Sequence, residues 1–161
     1  GVPVAKERAM KNFMSRLALL AGMLAMLVLF IGVSASAQDP RLPPTFGTAN
    51  LRSPFAPDPY MVKVVAGGPI YTTRAGVSGY VANAPDFRVN YVAGRLPLAF
   101  YVRSEANTPL FINLPDGTWF AYEGPNPMLR LTNPASGQYD IWVGTAGPNP
   151  APAVLHVTEL R

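Results

Sequence analysis

Proline is the residue that most restricts this chain. Of its 18 prolines, 17 follow Ala37, spread at short intervals and not gathered into one tract. An interior proline removes a helical hydrogen bond and collides with the preceding turn, so a long helix beyond Ala37 is nearly impossible. Short strands separated by turns are the solution that this spacing permits.

The alternation of apolar and polar residues agrees. Phe87, Val89 and Tyr91 alternate with Arg88 and Asn90, and Leu98, Phe100 and Val102 with Ala99, Tyr101 and Arg103. Leu129 and Leu131 flank Arg130, while Tyr139, Ile141 and Val143 flank Asp140 and Trp142. Each run predicts a strand with one buried face. On that parity Arg88 points away from the core and is expected to be dispensable. Further strands are predicted at Tyr60 to Ala66, Gly79 to Ala82, Thr108 to Asn113, Thr118 to Tyr122 and Ala153 to Glu159. Pro115-Asp116-Gly117 and Asn133-Pro134-Ala135-Ser136-Gly137 supply turn chemistry between them. About eight or nine short strands without crossover helices predict an all-β fold, an antiparallel sandwich or small barrel.

The first 37 residues have a different character. Lys11 and Arg16 precede a charge-free run from Leu17 to Val33, and Ser34-Ala35-Ser36-Ala37 has the small-x-small pattern of a signal peptidase site. Residues 1–37 are therefore expected to be upstream residues plus a cleavable signal-peptide helix, cut between Ala37 and Gln38, with Met10 the expected start of translation. An uncleaved anchor is the alternative. Residues 38–59 hold six prolines and no sustained alternation, which predicts an extended leader or linker, with Phe46 and Phe55 available to pack on the domain. Residues 60–161 are then the sandwich.

Charge follows this division. The chain has 13 basic and 9 acidic residues, but Lys6, Arg8, Lys11, Arg16 and Glu7 all lie before Gln38, leaving 9 against 8. No cluster of Lys or Arg remains to neutralise a phosphate backbone, so nucleic acid is not the expected partner. With no Cys, the exported domain must be held by packing and hydrogen bonds alone. The expected location is a bacterial periplasm or the exterior, with membrane contact only through the signal sequence before cleavage.

Three segments resemble the pre-peptidase C-terminal domain, a jelly-roll-like module of small exported bacterial proteins: Ala84 to Gly94, Ile112 to Phe120 and Asn133 to Thr145. The resemblance implies a sandwich often appended to secreted peptidases. It also implies a calcium site after the hairpin that contains Asp116. The acidic run has shrunk here to Glu123, which leaves Asp116, Glu123 and Asn126 as a sparse ligand set for an ion that wants six to eight oxygens. Asp116 is better explained as a turn residue. No cofactor is therefore expected.

Catalytic chemistry has little to work with. His156 is the sole His and alternates away from Leu155 and Val157, and Gly76-Val77-Ser78-Gly79-Tyr80 lacks the final Gly of a nucleophile elbow. No Cys is available for a thiol nucleophile or a zinc site. Carboxylate pairs among Asp86, Glu105, Asp116, Glu123 and Asp140 are left open by the sequence. No catalytic residue is assigned.

Aromatics offer the binding expectation. Trp142 falls opposite Tyr139, Ile141 and Val143; Trp119 and Tyr122 follow a turn; Tyr101 and Phe111 also alternate outward. An exposed line through Trp119, Tyr122 and Trp142 would stack on sugar rings or anchor a protein. A further layer over that face would bury it instead. The chain is therefore expected to be an exported, non-catalytic binding or accessory domain with a protein or carbohydrate partner, the alternative being a peptidase- or hydrolase-associated protein or a divergent secreted hydrolase.

Overall fold

The computed structural model describes residues 3–28 and 37–160. They belong to two compact units, Gly1–Ala35 and Ser36–Arg161. In the first, helix α1 (Val4–Val28) carries Lys11 one turn after Glu7, their charged groups 3.8 Å apart. Among the described residues no helix is long and apolar enough to cross a membrane. The rest of the apolar run and Ser34 to Ser36 of the cleavage pattern lie outside the described residues.

Among the described residues the second unit contains eleven strands: β1 (Thr48–Arg52), β2 (Tyr60–Ala66), β3 (Ile70–Arg74), β4 (Val77–Val81), β5 (Phe87–Val92), β6 (Leu98–Arg103), β7 (Leu110–Asn113), β8 (Trp119–Tyr122), β9 (Met128–Leu131), β10 (Gly137–Val143) and β11 (Ala151–Thr158). Nine of them form two sheets, in the orders β1-β5-β10-β7-β8 and β2-β11-β6-β9. Without β1, these are the two four-stranded sheets of a jelly roll, in which the chain passes from one sheet to the other at each step except the β7–β8 hairpin. The all-β sandwich expected from the alternation is the fold.

The core lies between the sheets, on the parity that the sequence marks. Phe87, Val89 and Tyr91 of β5 and Tyr139, Ile141 and Val143 of β10 meet Phe100, Val102, Leu155 and Val157 of the facing sheet. Each large apolar side chain removed from water here contributes about 1.5–3 kcal/mol. The Tyr139 hydroxyl leaves the core by donating to Ala135 O at 2.7 Å, and burial pushes it up to about 12.

Two segments differ from expectation. Residues 38–59 are no linker, because β1 lies within them and pairs in parallel with β5, matching Asn50 to Asn90 and Arg52 to Val92. Phe46 and Phe55 pack against the core as expected, and Asp39 N, Thr45 N and Phe46 N donate to Asn83 O, Pro85 O and Asp86 O. The boundary at residue 59 therefore disappears. The six prolines leave residues 45–53 free of proline, with Ala49 and Leu51 alternating inward, which is all a short edge strand needs.

The second difference is β3, which pairs with β4 as a hairpin. Ala75 and Gly76 join them at φ 50° and 80°, so both central residues are left-handed, as a two-residue type I′ turn requires. The hairpin lies on the outer face of the first sheet and is pinned there by reciprocal bonds between Tyr80 and Thr145. Gly79 permits the approach, since a Cβ there would come within 2.7 Å of Pro109.

Candidate functional site

Cross-strand register divides the outer face of the first sheet into two halves. One row runs Trp142, Phe111, Ala121, and these side chains together with Trp119 are covered by Ile70, Val77 and Val81 of the hairpin. The adjacent row is Thr48, Arg88, Asp140, Asn113, and the next is Asn50, Asn90, Gln138. These two rows lie beyond the hairpin. The sheet thus changes from a dry apolar layer to a polar shelf within one strand repeat.

The aromatic line expected from the sequence does not form. Trp142 is 0% exposed, with its indole N–H donating to Asn83 O at 3.3 Å. Trp119 is half-buried, tilted against Trp142 at 5.1 Å and capped by the Arg74 guanidinium 3.9 Å above its ring. Tyr122 is exposed, but its parity is that of the core-facing Leu110 with which it pairs, not that of Trp119. Phe111 is buried under the hairpin, and Tyr101 is buried by a different neighbour: His156 stacks on it at 4.4 Å on the outer face of the second sheet. The physical reason is common to Trp142 and Phe111. Period-2 alternation says which residues share a face, but a third layer buries a second face as thoroughly as the first.

The weak calcium set is not assembled either. Asp116 accepts from Thr118 N at 2.9 Å, the Asx-turn role, and that bond holds its carboxyl below the usual range. Glu123 and Asn126 follow β8 whereas Asp116 precedes it, so the length of that strand, roughly 13 Å at 3.3 Å per residue, separates the two ends. Among the described residues no group of three His, Cys, Asp or Glu side chains could hold a metal ion.

The polar shelf holds two clefts. A cleft of about 450 Å³ is lined by Arg41, Arg88, Asn113, Gln138 and Asp140 among others. A second, of about 400 Å³, is lined by Asn50, Arg52, Asn90 and Gln138. Gln138 belongs to both, so the clefts adjoin. Arg88 and Asp140, adjacent across β5 and β10, form the floor: Arg88 Nε donates to Asp140 Oδ1 at 2.7 Å, and its Nη2 donates to Pro40 O and Leu42 O at 2.6 and 3.0 Å. Gln138 Nε2 donates to the other oxygen, Asp140 Oδ2, at 2.7 Å. Asp140 is 2% exposed at its side chain and Arg88 16%. Arg88 is therefore not a solvated strand residue as its parity suggested: the leader segment, tied across it by the two carbonyls, takes the place of water. Along the rim, the exposed Asn90 donates to the exposed Asn50 at 2.9 Å, whereas Asn113 is buried and donates to Gly117 O at 3.1 Å.

Other carboxylates do structural work. Asp86 is buried and accepts from Val143 N at 2.6 Å; burial pushes it up to about 7, against the lowering effect of that bond. Glu159, which the sequence did not single out, accepts from Tyr91 Oη at 2.6 Å and Phe55 N at 3.2 Å, while its own N–H donates to Asp58 at 3.1 Å. It ties the end of the chain to residues 55–58.

No family model matches this chain, and no curated protein shows significant similarity to it.

Proposed function

We propose that this protein is an exported, non-catalytic binding module whose ligand lies along the polar shelf of the first sheet, and that the ligand is a carbohydrate. The observation that carries the reading is the row Asn50, Asn90, Gln138 beside Asn113, with Arg52 and Arg41 at its margins, on an open face that the hairpin leaves uncovered. An amide offers both donors and acceptors in a plane, which suits the alternating donor and acceptor character of sugar hydroxyls. The Arg88–Asp140 pair and the Gln138 contact fix the floor, so little side-chain entropy is lost when a ligand settles on it.

A binding role is preferred to catalysis because the shelf's charged groups are already engaged with each other: Arg88 satisfies Asp140, and Gln138 takes its second oxygen. The likeness to the pre-peptidase C-terminal domain, on segments that include β5 and β10, supports an accessory role beside a secreted enzyme in the periplasm or outside the cell. Export itself rests on the N-terminal signal pattern.

Titration calorimetry with soluble neutral and amino-sugar oligosaccharides tests the reading. Saturable binding that Asn50→Ala and Asn90→Ala each weaken about ten-fold, without change in thermal stability, is the expected result. Absence of binding across the panel, or binding indifferent to both variants, would move the function away from the shelf.

A further inference from the structure

Gln38 is the residue that signal cleavage would leave at the N-terminus, and it is built into the fold. Its side chain is buried, though Ala37 before it is exposed. Its Oε1 accepts from Arg74 Nε at 2.8 Å and lies 3.5 Å from Thr72 Oγ1, both on β3. Its Nε2 is buried with no hydrogen-bond partner. Turning the amide over would not repair this, because Arg74 has only donors and would then face another donor. The pocket thus accepts a carbonyl and has no place for the amide nitrogen. A buried donor without an acceptor is uncommon in a native fold and calls for a cause.

We propose that Gln38, once freed by cleavage after Ala37, closes to pyroglutamate in this pocket. The proposal rests on the reading of the first 37 residues as a cleaved signal sequence. In the step the α-amino nitrogen of Gln38 attacks its own Cδ, and the negative charge that develops on Oε1 is met by Arg74 Nε and Thr72 Oγ1. The N–Cδ bond forms, the Cδ–Nε2 bond breaks, and Nε2 leaves as ammonia carrying a proton from the α-amine. No oxidant or co-reactant is needed. The product keeps the carbonyl that Arg74 holds and discards the one atom the pocket leaves unpartnered. It also removes an α-ammonium placed one side chain's length from the Arg74 guanidinium. Asp39 is an imperfect counter-charge for that ammonium, since Arg41 already holds both its carboxylate oxygens at 2.9 Å.

The test starts from the full chain in detergent, cleaved with purified signal peptidase, with intact mass and N-terminal sequencing followed over time. The expected product begins at residue 38, is lighter than the unmodified chain by one ammonia, and resists sequencing until a pyroglutamyl peptidase is added. Thr72→Val and Arg74→Met, both checked for a native circular dichroism spectrum, should cyclise more slowly, Arg74→Met by about ten-fold, since Arg74 supplies the closer donor to the developing oxyanion. A chain cut after Ala37 that keeps its free Gln38, or variants that cyclise at the wild-type rate, would overturn the proposal while leaving the cleavage reading intact. A chain cut elsewhere or not at all would refute the cleavage reading, and this proposal with it.

Discussion

Replacing Arg88 by alanine should cost far more than its place on an outward parity implies. A solvated strand arginine is usually worth no more than about 0.5 kcal/mol. Here the change removes the cation beside Asp140, whose side chain is 2% exposed, and cuts the leader loose at Pro40 O and Leu42 O. Stranding one member of a buried ion pair costs about 3–5 kcal/mol, and the adjoining cleft admits water to the orphaned carboxylate, so about 3 kcal/mol is expected. Urea titration at neutral pH measures it, with the m-value unchanged if the rest of the fold persists. The double variant Arg88→Met with Asp140→Leu should recover the part of the loss that comes from the stranded charge, because it removes both charges and leaves shape behind, while the ties to Pro40 O and Leu42 O stay broken. A single-variant loss below about 1 kcal/mol, or a double variant no better than Arg88→Ala, would show that water already screens the pair and that the floor of the shelf is not held by it.

Trp142→Ala should destabilise by about 3–5 kcal/mol in the same titration, as a large buried aromatic does, whereas a loss under about 1 kcal/mol would contradict its place beneath the hairpin. Asp86 is raised from 3.8 to about 7 by burial, so the folded protein keeps a proton that the unfolded chain has released, and stability should fall as pH rises across that window and level off above it. Asp86→Asn retains an acceptor for Val143 N and should flatten the profile, leaving the variant more stable than the wild type at pH 8; parallel pH profiles would refute the assignment. Ala75→Gly should stabilise by about 0.5–1 kcal/mol, since a non-glycine residue at a left-handed φ costs about 1–2 kcal/mol and part of the gain is offset by unfolded-state entropy; thermal melts decide the sign.

The fold was legible wherever one face meets the core and the other meets water. Phe87-Arg88-Val89-Asn90-Tyr91 and Tyr139-Asp140-Ile141 carry that contrast in every second residue, and their strands and buried faces follow from it. β1 escaped because its signal amounts to Ala49 and Leu51 between proline clusters. β3 was in principle readable: Ile70, Tyr71, Thr72 and Thr73 are strand-favouring residues, and Ala75-Gly76 is a two-residue turn between two such runs. What concealed it was that Tyr60 to Ala66 already accounted for the preceding strand, and a two-stranded satellite has no core-facing period of its own.

The site was less legible for a reason of the same kind. An aromatic at an outward position and an arginine at an outward position look alike to a parity argument, both assigned to solvent, yet the hairpin buries Trp142 and the leader buries much of Arg88. Neither covering segment is local in sequence to what it covers: Pro40 meets Arg88 across 48 residues, and Asn83 meets Trp142 across 59. Asn50, Asn90 and Gln138 are equally distant in the chain, and only the registers of β1 on β5 and of β10 on β5 place them in one row. Each amide alone is an ordinary exposed strand residue. Their alignment, together with the hairpin covering the aromatic half of the same face, converts three unremarkable polar positions into the open surface on which a ligand can be sought.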